Sequence, residues 1–104
     1  MEKTYLQVLI SAENKKQADA ILLSLLKNKL VIGGMIIEAP ARFWWKEKII
    51  KMKYVNILAF TSANYQKRII KDVEEVSIEE VPMVAFSKID GNEKFLNWIN
   101  KSIK

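Results

Sequence analysis

The fold is decided by residues 42–60, RFWWKEKIIKMKYVNILAF, in which aromatic, basic and β-branched residues follow one another without a Gly or a Pro. This composition is typical of extended chain rather than of helix. We expect a β-hairpin that turns near Lys46-Glu47 and continues as one long strand to Thr61. Two consecutive strands therefore occupy the middle of the chain.

A strand and a helix precede this hairpin. Residues 4–11, TYLQVLIS, are apolar at nearly every position and predict the first strand. Asn14 then offers a side-chain oxygen to the first turn of a helix, with Gln17 in capping-box spacing. The helix is expected to end near Asn28. Its apolar residues share one face: Ala18, Ile21, Leu22, Leu25 and Leu26.

A second apolar run, Leu30 to Ala39, leads into the hairpin. Its Gly33-Gly34 pair argues against a helix and predicts a bulge or a close approach of two backbones. We expect Pro40 at or beyond the end of this run, because proline donates no hydrogen bond to a sheet.

A helix, a strand and a terminal helix follow the hairpin. Ser62 and Asn64 each offer a cap for the helix. Val81 to Phe86 predicts the fourth strand, and Pro82 favours an edge position for it. Residues 93–103 then predict the terminal helix. The apolar positions at helical spacing are Tyr65, Ile69, Val73 and Val76 in the first helix and Phe95, Leu96, Ile99 and Ile103 in the second.

The resulting order, β-α-β-β-α-β with an extra C-terminal helix, predicts an α+β fold. It is the order of a ferredoxin-like sandwich, with an antiparallel sheet and two helices on one face. At 104 residues, we expect a single domain over residues 1–104. The strands are apolar on both faces, since Val55 and Ile57 alternate with Tyr54 and Leu58. Two helices cover only one face, so we expect the chain to associate with itself.

The composition limits the kinds of metal site and catalytic group that the chain can form. The chain has no Cys and no His, which excludes disulfides, thiolate and imidazole metal ligands, and a Ser-His-Asp triad. The phosphate-cradling GxxxxGK loop is also absent. We therefore expect no catalytic residue, no cofactor and no metal site.

The net charge is +5, with basic residues concentrated in residues 42–53 and acidic residues in residues 72–80. No apolar run approaches the roughly 20 residues that a membrane span needs. Met1 to Lys3 lead directly into the first strand, so we expect no secretory signal and a cytoplasmic protein.

Three segments resemble the CutA family of divalent-cation-tolerance proteins. FWWKEKI, residues 43–49, is similar to the family hairpin motif aromatic-x-Trp-x-Gly-Lys-Ile. Thr61-Ser62 and, eighteen residues after them, Val81-Pro82 match the family helix and the Pro-containing segment after it. GNEKFLNWI, residues 91–99, resembles the family ending, and the resemblance runs from about Val8 to Ser102.

The resemblance implies a ferredoxin-like subunit in a homotrimer held by sheet-edge contacts. It also implies a role in tolerance of copper and other divalent cations without enzymatic activity. This chain departs from the family at three places: Gly33 replaces a frequent Cys, Ser77-Ile78-Glu79 replaces His-Pro-Tyr, and Glu47 replaces the hairpin Gly. The lost Cys and His are the best metal ligands, so metal binding is expected to be weak. The lost Gly predicts a turn that is strained by about 1 kcal/mol or has a different shape.

The resemblance also yields candidates for a ligand-binding cleft: Phe43, Trp45, Lys48 and Glu80. Adjacent Trp44 and Trp45 are expected on opposite faces of a strand, with Trp45 in the cleft. Lys48 beside an aromatic ring favours a small anion, while Glu80 favours a salt bridge to a basic hairpin residue or a weakly held divalent cation. Trp98 is expected to anchor the terminal helix.

The alternative function is a trimeric small-ligand-binding or signalling module that uses the basic and aromatic hairpin. RNA binding is a weaker alternative, because residues 51–60 lack the aromatic motif of RNA-recognition domains.

Overall fold

The computed structural model describes residues 3–103, so Met1 and Glu2, on which part of the secretory-signal prediction depends, lie outside the described residues. The elements are β1 (Tyr5–Ala12), α1 (Lys15–Lys27), β2 (Gly33–Trp45), β3 (Lys48–Ser62), a 3₁₀ turn (Ala63–Tyr65), α2 (Gln66–Val76), β4 (Val84–Ile89) and α3 (Glu93–Ser102). This order confirms the predicted α+β ferredoxin-like class with an extra C-terminal helix.

The four strands form one antiparallel sheet in the order β2-β3-β1-β4. The central strands β1 and β3 present Val8, Ile10 and Ile57 to one face, where α1 and α2 cover them. These side chains have no exposed surface, and each fully buried aliphatic residue contributes about 1.5 to 3 kcal/mol of hydrophobic stabilisation. The core therefore lies between the two helices and one face of the sheet.

The predicted N-terminal cap of α1 is confirmed for Asn14 but not for Gln17. Asn14 Oδ1 accepts a hydrogen bond from the Gln17 N–H at 2.8 Å. The Gln17 side chain, however, accepts from the Ile78 N–H at 2.7 Å, which ties α1 to the segment before β4.

The predicted caps of α2 are wrong, because the 3₁₀ turn comes between them and the helix and the Ser62 hydroxyl donates to Asn64 Oδ1 at 2.6 Å. The predicted apolar face of α2 is confirmed. Ile69 and Val73 on this face are fully buried.

The second apolar run and the first strand of the hairpin form one continuous strand, β2. Pro40 lies in its middle, opposite Lys53, and not at its end as predicted. An edge strand tolerates proline because its open side needs no N–H donor. The register stays regular from Gly33 to Trp45, so no bulge forms. A Cβ added at Gly34 would lie 3.0 Å from the Leu58 carbonyl oxygen, which confirms the predicted close approach.

The fourth strand begins later than predicted, at Val84 rather than Val81. The Met83 carbonyl still accepts from the Ser11 N–H at 3.1 Å, but the ladder goes no further, because the Met83 N–H donates to Ser11 Oγ at 2.8 Å and Pro82 has no N–H. Val81 is exposed as a result.

The second face of the sheet is only partly covered. The Phe95 ring of α3 packs edge-on against Phe60, with a centroid distance of 5.4 Å, and Ile99 is fully buried. Trp98 is 53% exposed, so within the chain Ile99 anchors α3, while the predicted anchoring of the helix by Trp98 against a neighbouring subunit stays a prediction. Beyond α3, Leu9, Met35 and Ile37 remain exposed. Within residues 3–103, no helix has both the length and the apolar character needed to cross a membrane.

Candidate ligand-binding cleft

A cleft of about 550 Å³ opens between the distal half of the β2–β3 hairpin and the segment that precedes β4. Its lining residues are Glu13, Phe43, Trp45, Ile50, Met52, Tyr54, Ile78, Glu79, Glu80 and Val81. The volume lies within the range of about 300 to 1,000 Å³ that is typical of small-molecule sites.

The hairpin turn lies at the predicted place. Trp45 pairs with Lys48, and the two residues between them have positive φ, 48° at Lys46 and 67° at Glu47. Positive φ at both central positions is the mark of a tight type I′ turn. Because Glu47 has a Cβ that glycine lacks, its left-handed backbone costs about 1 kcal/mol, as the sequence predicted.

Strand alternation sorts the hairpin side chains into two groups. Phe43 and Trp45 lie on the cleft face, whereas Trp44 points the other way and is 72% exposed. On β3 the same alternation directs Tyr54 into the cleft and Lys53 away from it. The rings of Phe43 and Tyr54 stack at a centroid distance of 5.5 Å and form one aromatic wall.

The opposite wall is held by the Glu79 carboxylate. The Tyr54 hydroxyl donates to one of its oxygens, and Ser11 Oγ donates to the other at 2.7 Å. Ser11 is fully buried and accepts from the Met83 N–H, so the same network fixes the start of β4. Burial, and next the hydrogen bond to Glu79, raise the pKa of the Tyr54 phenol above its usual value of 10.0.

Glu80 makes the predicted salt bridge to a basic hairpin residue. Lys46 Nζ lies 3.9 Å from Glu80 Oε1, and it also lies 5.4 Å from the centroid of the Trp45 ring. The side chains of Lys46 and Glu80 are 69% and 65% exposed, so the pair contributes at most about 1 kcal/mol.

The structure brings together three of the four candidate residues, since Phe43, Trp45 and Glu80 all line the cleft. Lys48 is exposed near the turn and is not part of the lining. Sequence reasoning assigned only Glu80 to the cleft, because Glu79 and Glu80 would point to opposite faces of an extended strand; the segment is not a strand, and both side chains line the cleft. The register of the hairpin was the available signal for Tyr54, since alternation places it on the face of Phe43.

The charged side chains of the lining are all carboxylates: Glu13, Glu79 and Glu80. This lining favours a cation over the small anion expected from the sequence. Among residues 3–103, no three His, Cys, Asp or Glu side chains are grouped so that they could hold a metal ion.

Comparison with known proteins extends over almost the whole chain. Residues 6–102 match the sequence profile of the CutA1 divalent ion tolerance protein family. The chain is 27% identical over 85 residues to the divalent-cation tolerance protein CutA of Thermococcus kodakarensis, an alignment that covers 81% of this chain and 82% of the relative. It is 26% identical over 90 residues to the CutA of Pyrococcus horikoshii, with 86% and 88% covered.

Solved structures show the same fold. The periplasmic divalent cation tolerance protein CutA from Archaeoglobus fulgidus superposes with a TM-score of 0.91 at 23% identity, covering 96% of this chain and 99% of that one. CutA1 from Oryza sativa also gives a TM-score of 0.91 at 21% identity, covering 97% and 94%.

Proposed function

Because the chain belongs to the CutA1 divalent ion tolerance protein family, we propose that it acts in the tolerance of, or response to, divalent cations. The observation that carries this proposal is the family match over residues 6–102, which includes the hairpin, the cleft and all of α3. We propose a non-enzymatic role in the cytoplasm. The absence of imidazole and thiol groups supports the non-enzymatic part of the proposal.

Growth under copper stress tests the role in tolerance. A bacterial strain deleted for its own CutA should regain growth on a Cu(II) gradient when it expresses this chain. Ile57→Asp serves as a negative control, because it puts a charge in the fully buried core. Growth equal to that with an empty vector, despite folded protein in the cell extract, would contradict the proposed role.

We further propose that the protein is a homotrimer. The support is the uncovered face of the sheet, on which Leu9, Met35 and Ile37 are exposed. Apolar side chains grouped on one sheet face are typical of a surface that another subunit covers.

Light scattering after size exclusion should give three chain masses at micromolar concentration. Ile37→Lys should lower this mass. Leu23→Lys on the outer side of α1, which is similarly exposed at 45% against 42%, should not. A wild-type monomer at that concentration would refute the trimer.

We propose that this chain binds divalent transition metals weakly. Apart from four Met thioethers, its side-chain ligands are carboxylates, amides and hydroxyls, which suit magnesium, calcium or manganese better than copper or zinc. A weakly held cation near Glu80 would also compete with Lys46 for the carboxylate.

A second role, small-ligand binding, is favoured by the cleft. It has the volume of a ligand site, an aromatic wall and a few fixed polar groups, which is the usual composition of such sites.

A further inference from the structure

We propose that the cleft binds an organic ammonium ion with an apolar body, and that its charged group lies between the Trp45 ring and the carboxylates of Glu79 and Glu80. The inference rests on the ligand-binding role proposed for the cleft. It does not depend on the role in cation tolerance.

The walls suit such a ligand. The aromatic residues Phe43, Trp45 and Tyr54 line one side, and Ile50 and Met52 extend the apolar surface. An indole ring is the best aromatic partner for a cation, and the apolar part of the ligand would bury the remaining surface.

The charge of the cleft selects a cation. Glu13, Glu79 and Glu80 line it without a basic side chain among them, although the protein as a whole carries a net charge of +5. The Glu79 carboxylate is half-buried, and its hydrogen bonds come from two neutral hydroxyls, which leave its charge uncompensated. Within the described part of the chain, the one ion pair joins Lys46 to Glu80. The cleft is therefore negative in a protein whose overall charge is positive.

An ammonium group of the protein itself already occupies part of this arrangement. Lys46 Nζ lies 5.4 Å from the Trp45 ring centroid and 3.9 Å from Glu80 Oε1. The Lys46 side chain is mostly exposed and its pairing is weak, so a ligand ammonium that also gains apolar contacts can displace it. Lys46 would then act as an internal competitor.

Three probes that share a phenyl body and differ in charge test the proposal: 2-phenylethylammonium, 2-phenylethanol and 3-phenylpropionate. Each is titrated into the full chain at neutral pH and low salt, with tryptophan fluorescence and calorimetry as readouts. We expect the ammonium to saturate one site per chain, about tenfold more tightly than the alcohol, and the carboxylate not to bind.

The outcomes separate this proposal from the one it rests on. Equal binding of ammonium and alcohol, or tighter binding of the carboxylate, overturns the ammonium assignment and leaves the cleft a ligand site. Failure of all three probes overturns both proposals.

Variants locate the site. Glu79→Gln should weaken binding of the ammonium probe severalfold and leave binding of the alcohol probe unchanged. Unchanged binding of the alcohol also shows that the cleft is intact in the variant. Glu80→Gln gives a second measurement at an exposed position where folding is not at stake. Glu75→Gln, on the exposed surface of α2, is the matched control and should change neither affinity.

Lys46→Met should strengthen ammonium binding by removing the competitor. If Lys46→Met weakens ammonium binding, or if Glu79→Gln and Glu80→Gln both leave it unchanged, the proposal is wrong.

Discussion

Replacing Gly34 with alanine tests the packing that positions the hairpin. The added Cβ would lie 3.0 Å from the Leu58 carbonyl oxygen, 3.1 Å from Ala59 Cβ and 3.2 Å from Leu22 Cδ1. The Leu22 side chain can rotate, but the other two atoms belong to β3 and move only if the strands separate. Overpacking of this kind costs about 1 to 3 kcal/mol. Reduced freedom of the unfolded chain offsets about 0.4 to 1 kcal/mol of that cost.

The neighbouring Gly33 is the matched control. An added Cβ there meets nothing within 4 Å, and neither glycine has a positive φ. Gly33→Ala should therefore stabilise the protein by about 0.4 to 1 kcal/mol. We expect the two variants to differ by about 2 kcal/mol in the free energy of unfolding, equivalent to a difference of about 8 to 16 °C in Tm.

Urea unfolding followed by tryptophan fluorescence and circular dichroism measures this difference. All samples need one protein concentration, because the stability of an oligomer depends on it. A Gly34→Ala variant as stable as Gly33→Ala would refute the conclusion that close strand approach selects glycine at position 34.

Three further predictions concern the cleft, the turn and α3. Because the pKa of the Tyr54 phenol is raised in the folded state, the stability that Tyr54 contributes should be complete below about pH 10 and should be lost as the pH rises through the folded-state pKa. Thermal melts over that pH range should therefore show a smaller fall of Tm with pH in Tyr54→Phe than in the wild type. Glu47→Gly should raise the free energy of unfolding by up to about 1 kcal/mol, and unchanged stability would show that the turn is unstrained. Ile99→Ala should cost about 2 to 5 kcal/mol in denaturant unfolding and half-exposed Trp98→Ala less; equal losses would place Trp98 in a buried contact.

The order of the elements was predictable because it depends on local patterns. Helical spacing identified the buried face of α2, and the run of residues 42–60 without Gly or Pro identified the hairpin. The turn at Lys46-Glu47 was also predicted, although neither residue is a usual choice for positive φ.

The errors arose where the structure depends on distant partners. Pro40 fits inside β2 only because β2 is an edge strand, which the sequence around Pro40 does not reveal. The start of β4 depends on Ser11, whose hydroxyl binds the Met83 N–H from 72 residues away. The pattern of residues within one segment does not reveal contacts with residues that are distant in the sequence.

The candidate cleft was predicted in part. The resemblance supplied Phe43, Trp45 and Glu80, which all belong to conspicuous motifs. Glu79 was missed because its role depends on hydroxyls 25 and 68 residues away in the sequence. The acidic character of the cleft was missed for the same reason. The basic residues of the hairpin dominate the local sequence, but alternation turns Lys51 and Lys53 away from the cleft, and Lys48 lies outside its lining.

Calorimetric titration of tag-free protein with Cu(II) and Zn(II) at neutral pH tests most directly the proposal that this chain acts in cation tolerance without a tight metal site of its own. We expect no saturable site tighter than about 10 μM, and little change in Glu80→Gln. A stoichiometric submicromolar site that Glu80→Gln abolishes would contradict it.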